Sequence, residues 1–426
     1  MNKHFDNSCI FSNIFNAPFC IYGAGIVATS IYTAIKTLYQ KIPLFFLVSD
    51  VPEGKPDENP MEIDGILVKR FCEWKRELWE TKDAQKPQNV LEQGAFGVSS
   101  PVVHPTHYLV VVPETHHSAI IASLHSLGVG DAQICLFTGA LENQFMEAYY
   151  SGLSDCRTVS GLTGVSGRTE KEREVKAVEV GTDFFRKSET LLANLADIQV
   201  FQAKCHVDRP LQHPGQPSSY VYPIQVGADL TDQMISELRD NAGENISAKN
   251  RNYCELTAAY YAWKNSQAAY KGLCHYRRIF EIDDEQMQIL MERQAEWDVI
   301  LPYPSIHYPN ISTQHIRYIK EADWKAMLQA LEEIAPDYFE TYQRLVKKGE
   351  QYFFNFNMLI ARAEVFDDYC NFLFAVLERA EALTTPKGWE RADRFAGYMG
   401  ENLTTLYFLK NKDRLKIVYA GKRWLT

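Results

Sequence analysis

Within Tyr270-Lys-Gly-Leu-Cys-His-Tyr-Arg-Arg-Ile-Phe280, an apolar run ends in an imidazole, a phenol and two guanidiniums before the chain turns apolar again. Guanidinium forks bind phosphate oxygens bidentately and stay protonated. His275, Arg277 and Arg278 at a strand end could therefore hold a diphosphate without a metal ion. Strand alternation would send Arg277 and Arg278 to opposite sides, leaving one of them beside His275. The competing reading is structural, with the arginines bridging to carboxylates beneath the sheet. Spacing alone does not separate the two. A second signal lies near the start, where Gly23-Ala-Gly25-Ile-Val-Ala28 fits G-x-G-x-x-A. Its glycines allow a tight turn, and the following helix offers free N–H groups to a pyrophosphate. Asp50, at the end of the next apolar run, is placed to accept from a ribose hydroxyl.

The elements that must carry these groups alternate. Phe19–Gly25, Pro43–Asp50, His107–Glu114 and the run Ala-Gln-Ile-Cys-Leu-Phe read as strands separated by helical stretches, the pattern of a parallel sheet covered on both faces. The pattern fades between Gly139 and Leu195, where Ser160–Lys176 is rich in Gly and Ser and then charged, as in a linker. A second alternation follows. It has strands at Asp197–Asp208, Lys271–Cys274, Trp297–Pro304 and Phe353–Ala361, and helices at Tyr253–Gln267, Glu321–Lys348 and Gly400–Asn411. The expectation is an α/β protein with a Rossmann-like nucleotide-binding module over 1–140, a linker and helix over 141–195, and a second α/β domain over 196–426.

The chain has 426 residues and a formal charge of −10, which argues against general affinity for nucleic acid or an anionic membrane. No apolar run approaches the roughly 20 residues needed to span a bilayer, although peripheral membrane contact is still allowed. The opening Met1–Phe15 is a poor signal peptide. Nine cysteines without paired spacing read as reduced thiols, and the expected compartment is the cytoplasm.

The stretch Tyr222–Phe280 closely resembles a bacterial family linked to capsular and exopolysaccharide synthesis. That family was long classed as a domain of unknown function and is now regarded as glycosyltransferase-like with a GT-A type fold. The residues carrying the resemblance are Asn245-Ile-Ser247, Lys249-Asn250, Tyr253-Cys-Glu-Leu-Thr257, Trp263-Lys-Asn265, Gly272–Arg278, Asn357-Met358 and Gly397–Glu401. More loosely, Ile63–Trp74 and Tyr108–Ile121 resemble Rossmann-like modules fused to sugar-modifying enzymes. The first resemblance implies a GT-A-like second domain that moves a hexosyl group from a nucleotide-sugar donor, UDP-linked in this reading, to a saccharide acceptor, with inversion.

Many GT-A enzymes hold a divalent ion with Asp-x-Asp, a motif this chain lacks. His275, Arg277 and Arg278 are then the donor-diphosphate candidates, and no cofactor is required. A divalent metal at His275 with Glu281–Glu285, and NAD(P) at the N-terminal glycines, stand as the alternatives. Glu401, expected at a helix start, resembles the base that deprotonates the acceptor, although Asn402 replaces an aspartate of the family pattern. Asn245, Lys249 and Asn250, in a loop whose amides suit turns as well as a uracil edge, are donor candidates. Asn357 is expected at a strand end beside the donor sugar. Arg394 is a clamp for phosphate or acceptor charge, and the aromatic loop Pro302–Tyr318 is an acceptor surface. The rival function classes are an NAD(P)-dependent enzyme acting on sugar nucleotides and a non-catalytic sugar-nucleotide-binding protein.

Overall fold

In the computed structural model, residues 14–52, 59–84, 103–165, 195–211 and 217–425 are described. The chain divides into two compact units between Glu142 and Asn143. The α/β class expected from the alternation holds in both.

In the first unit, strands β1 (Phe19–Tyr22), β2 (Phe46–Val48), β4 (Ile66–Arg70), β5 (His107–Val110) and β6 (Ile134–Leu136) form a parallel sheet in the order β4-β2-β1-β5-β6. The short β3 (Glu62–Ile63) pairs antiparallel with the outer edge of β4. Every residue of β1 and β2 is buried, as a sheet covered on both faces requires. The strand order reverses at β1, where open α/β sheets form their crevice. Gly23 follows β1 with φ +131°, and a Cβ there would lie 2.4 Å from the Val111 carbonyl oxygen. Only glycine fits this approach.

The second unit is built around β9 (Tyr270–His275). It pairs parallel with β7 (Ile198–Cys205) and antiparallel with β14 (Leu359–Arg362), while β8 (Val221–Val226) lies beyond β7. On the other side, β11 (Val299–Pro302) and β15 (Ile417–Ala420) extend the sheet past β14. Side chains alternate between two apolar layers with a period of two. Phe201, Val299, Leu301, Leu359 and Ala361 face helices Leu256–Asn265, Ala363–Leu383 and Phe395–Asn411. Val200, Ile300 and Ile360 face the other layer, around Trp297, Met287 and Leu290.

Three expected elements differ, and each difference shapes the site. The helix read over Tyr253–Gln267 is broken at Cys254, at φ 51°, into Asn250–Tyr253 and Leu256–Asn265. The strand read over Phe353–Ala361 splits into β13 (Tyr352–Phe353) and β14, because Phe356 and Asn357 adopt left-handed φ values of 73° and 50°. The last long helix starts at Phe395, so Glu401 sits in its second turn and not at its start. Within the stretch expected as linker, Gly139–Ser151 and Val159–Thr163 are helical, and residues 166–194 lie outside the described set. No described helix is long and apolar enough to cross a membrane.

The crowding at Gly23 is testable. Gly23→Ala should lower the stability of the first unit by about 1–3 kcal/mol through steric and φ strain. An unchanged denaturation midpoint for that unit would contradict the close approach.

Candidate functional site

The charged stretch after β9 is a hairpin and not a continuing strand. His275 pairs directly with Arg278 across the two-residue turn Tyr276-Arg277, and Arg278 opens β10 (Arg278–Phe280). Cross-strand partners project from the same face, so the imidazole and the second guanidinium are neighbours. Arg277, expected on the side of a strand opposite to Arg278, lies exposed at the turn.

Phe356 joins this hairpin to the last helix. Its N–H donates to Glu401 Oε1 at 2.9 Å, and its carbonyl lies 2.9 Å from His275 Nε2. Its ring lies 4.1 Å from the Arg278 guanidinium carbon, and the Trp424 ring lies 4.2 Å from the same carbon. The two rings meet nearly at right angles, with centroids 6.0 Å apart and planes at 81°, and the cation sits in the corner they form. Arg278 Nε is buried without a hydrogen-bond partner, and among the described residues no carboxylate comes within ion-pair distance of this guanidinium. Burial, followed by the charge of Arg277, lowers its pKa to about 10. An arginine bridge beneath the sheet is thus not what the structure builds at Arg278.

His275 fits the expectation less well. Its Nε2 is 3.5 Å from Glu255 Oε1 as well as facing the Phe356 carbonyl. Two acceptors on one nitrogen place a proton there, so the ring turns inward and leaves only Nδ1 for a ligand. Its Nε2 thereby helps to position Phe356 and Glu255.

Glu255 was not singled out from the sequence. It is buried at the break between the two helices and accepts from Asn357 Nδ2 at 2.7 Å. Burial opposes its ionisation, but the neighbouring imidazole and the Asn357 amide outweigh burial and hold its pKa at about 2. Asn357, expected at a strand end beside a sugar, is fully buried. It donates to Glu255 and to the Gly397 carbonyl and accepts from the Thr404 hydroxyl. Its task is to fix the turn that carries Phe356. In the sequence Glu255 shows only as a member of the Tyr253–Thr257 motif and as an acid set directly against the apolar face beginning at Leu256.

Glu401 takes the opposite protonation state. Burial, then the negative charge of Glu255, raises its pKa to about 8, while the Phe356 N–H, Arg278 and Arg394 pull it back down. A carboxyl titrating near neutrality can act as a base or an acid. Gly400 permits the arrangement, since a Cβ there would lie 2.7 Å from Leu256 Cδ1 and 3.1 Å from Asn357 Oδ1. Arg394, at the N-cap of the same helix, donates from Nε to Cys254 Sγ at 3.3 Å.

Three loop residues expected at the donor stand apart as structural groups. The Asn245 amide donates to the carbonyls of Asn241 and Gly243. Lys249 pairs with the buried Glu381 at 2.6 Å. Asn250 donates to the Cys254 carbonyl and the Thr257 hydroxyl. These contacts are the ones that the turn-forming reading of that loop expects. Buried Asp240 supports it by accepting from the backbone of Gly227 and Ala228 and from the Ser247 hydroxyl. At Glu281–Glu285, Asp283 accepts from Gln286 N at 2.8 Å and caps the next helix.

In the first unit, Gly23 and Gly25 lie at the carboxyl end of β1, and Gly25 precedes the helix Ile26–Tyr39, which has no side-chain cap. Asp50, expected at a ribose, instead accepts from Cys72 N at 2.9 Å, near the start of helix Phe71–Ala84.

Residues 206–412 match the family described as a domain of unknown function, DUF4422. No curated protein matches the chain. Among solved structures, the chain is similar to one titled as the apo structure of WbbM, a bifunctional glycosyltransferase. The identity is 24% over 54% of this chain and 45% of that one, with a TM-score of 0.45. That similarity therefore spans about half of each chain.

The Glu401 environment predicts a pH signature of stability. A glutamate in the unfolded chain loses its proton near 4.5, whereas the folded carboxyl keeps it to about 8. Between those values the folded state binds more protons, so its stability contribution falls as pH rises through the window. Urea denaturation at pH 5 and pH 8 should show that Glu401→Gln reduces the fall. An identical pH slope in both proteins would place this carboxyl in water.

Proposed function

We propose that the second unit is a glycosyltransferase that moves a sugar from a nucleotide-sugar donor, UDP-linked, to a saccharide acceptor with inversion. The observation that carries this reading is Arg278: a half-buried guanidinium clasped by two rings, without a carboxylate partner among the described residues, in the field of a carboxyl of raised pKa. The sequence resemblance described above supports it and links the reaction to capsular or exopolysaccharide synthesis.

In the reaction, the acceptor oxygen forms a bond to the anomeric carbon as the bond from that carbon to the phosphate oxygen breaks. Glu401 takes the acceptor's proton. The nucleoside diphosphate leaves with the bonding pair, and Arg278, assisted by Arg277 at the turn, balances the developing charge. Direct displacement from one face inverts the anomeric centre. The Phe356 N–H fixes one carboxylate oxygen and leaves the other to meet the acceptor. Ionised Glu255 keeps Glu401 basic enough to accept a proton near neutral pH.

The full chain should bind UDP, and Arg277→Ala with Arg278→Ala should weaken binding at least tenfold, about 1.4 kcal/mol. Unchanged affinity in calorimetry would remove the diphosphate assignment. Glu401→Gln should abolish UDP-sugar turnover, including slow hydrolysis without acceptor, while leaving UDP affinity within about twofold. Because only ionised Glu401 accepts a proton, kcat/KM should rise with pH and level off above about 8. A rate that is flat from pH 6 to 9 would contradict that role.

A further inference from the structure

The helical face that carries Glu401 carries two more groups. Tyr398 precedes Glu401 by three residues, on one stripe of the helix, and Arg394, the left-handed N-cap at φ 65°, brings its guanidinium beside the Tyr398 ring. The Tyr398 ring stacks on Tyr318, with centroids 5.1 Å apart and planes at 20°. Tyr318 is 46% exposed and follows the segment Ile311–Arg317. That segment is tied to the same helix by Asn402 Nδ2 donating to Gln314 Oε1 at 3.1 Å.

Arg394 is exposed, and its guanidinium carbon lies 5.9 Å from the Tyr398 ring centroid. Its one side-chain hydrogen bond among the described residues runs to the Cys254 sulfur, and no carboxylate pairs with it there. Burial, then the charge of Glu255, raises the Cys254 pKa to about 12, so the partner is a neutral thiol. In a chain of net charge −10, a cation at the N-cap of the base's own helix has both terminal nitrogens uncommitted among the described residues.

We propose that this stripe is the acceptor subsite and that it takes a pyranose bearing a carboxylate, a hexuronic acid unit. The inference rests on the glycosyltransferase reading of Glu401. A proton-accepting carboxyl must touch the acceptor hydroxyl, so what lies beside it on the same face meets the same sugar. Tyr398 stands about 4.5 Å from Glu401 along the helix axis, at 1.5 Å per residue, and Arg394 lies beyond it at the N-cap. A ring laid against the tyrosines thus directs its far substituent toward Arg394. The tyrosines offer apolar area to the ring's C–H face, and the planar guanidinium fork matches a carboxylate's two oxygens. The donor's phosphates are already served by Arg278 and Arg277 on the hairpin.

The test uses the full chain in ligand-observed NMR titrations with UDP present. The probes are methyl β-D-glucopyranosiduronate and its neutral analogue, methyl β-D-glucopyranoside. The uronate should bind at least fivefold more tightly at low salt, and Arg394→Gln should cut that preference below twofold. Tyr318→Ala should weaken both probes by a similar factor. Equal affinity for the two probes, binding of neither, or a preference that survives Arg394→Gln would overturn the proposal. A UDP titration of the same samples separates the failures. Bound UDP without a uronate preference removes the acceptor assignment alone, whereas no UDP binding removes the donor-site reading beneath it.

Discussion

The site hangs on one peptide unit held in an uncommon conformation. Phe356 adopts φ 73°, a region bulky residues rarely occupy, and Asn357 follows at 50°. Such strain costs on the order of 1–3 kcal/mol per residue and persists only where the surroundings over-determine it. Here they do. The Phe356 N–H is held by Glu401, its carbonyl faces His275, and Asn357 is anchored by Glu255, Gly397 and Thr404. An extended residue at 356 would aim its N–H and its ring elsewhere. Glu401 would lose its donor and Arg278 one of its two aromatic walls.

From that turn follows an electrostatic division of labour. Two glutamates share one interior region, yet Glu255 is held at about 2 and Glu401 is raised to about 8. Desolvation opposes the ionisation of both, so it does not by itself distinguish them. Glu255 has an imidazole and an amide aimed at its carboxylate, while Glu401 has one backbone N–H and feels the charge of Glu255. Pairs of titratable groups driven apart in this way mark sites where protons move. Arg278 completes the set, because its positive charge in a poorly solvated place is most favourably met by an incoming anion.

The large-scale architecture was legible because buried strands and amphipathic helices write their periods into the chain. Runs such as Phe19–Tyr22 and Val299–Pro302 are apolar on both faces, as a covered sheet demands. The hairpin at Tyr276-Arg277 was not legible: it contains no glycine or asparagine and no left-handed residue, so it lacks the usual mark of a two-residue turn. The break at Cys254 and the split strand around Phe356 were hidden for a related reason. Left-handed non-glycine residues are stabilised by tertiary contacts that local propensity does not record. Glu255 escaped because its importance lies in its burial. Asn245, Lys249 and Asn250 were visible but serve the loop that holds them.

The most direct measurement of the central claim is a crystal structure of the full chain soaked with UDP. The account predicts the phosphates against Arg278 and the Tyr276-Arg277 turn, with Phe356 still in its left-handed conformation and still bonded to Glu401. Phosphates bound elsewhere in the second unit, with the Arg278 guanidinium unaltered against its two rings, would contradict it.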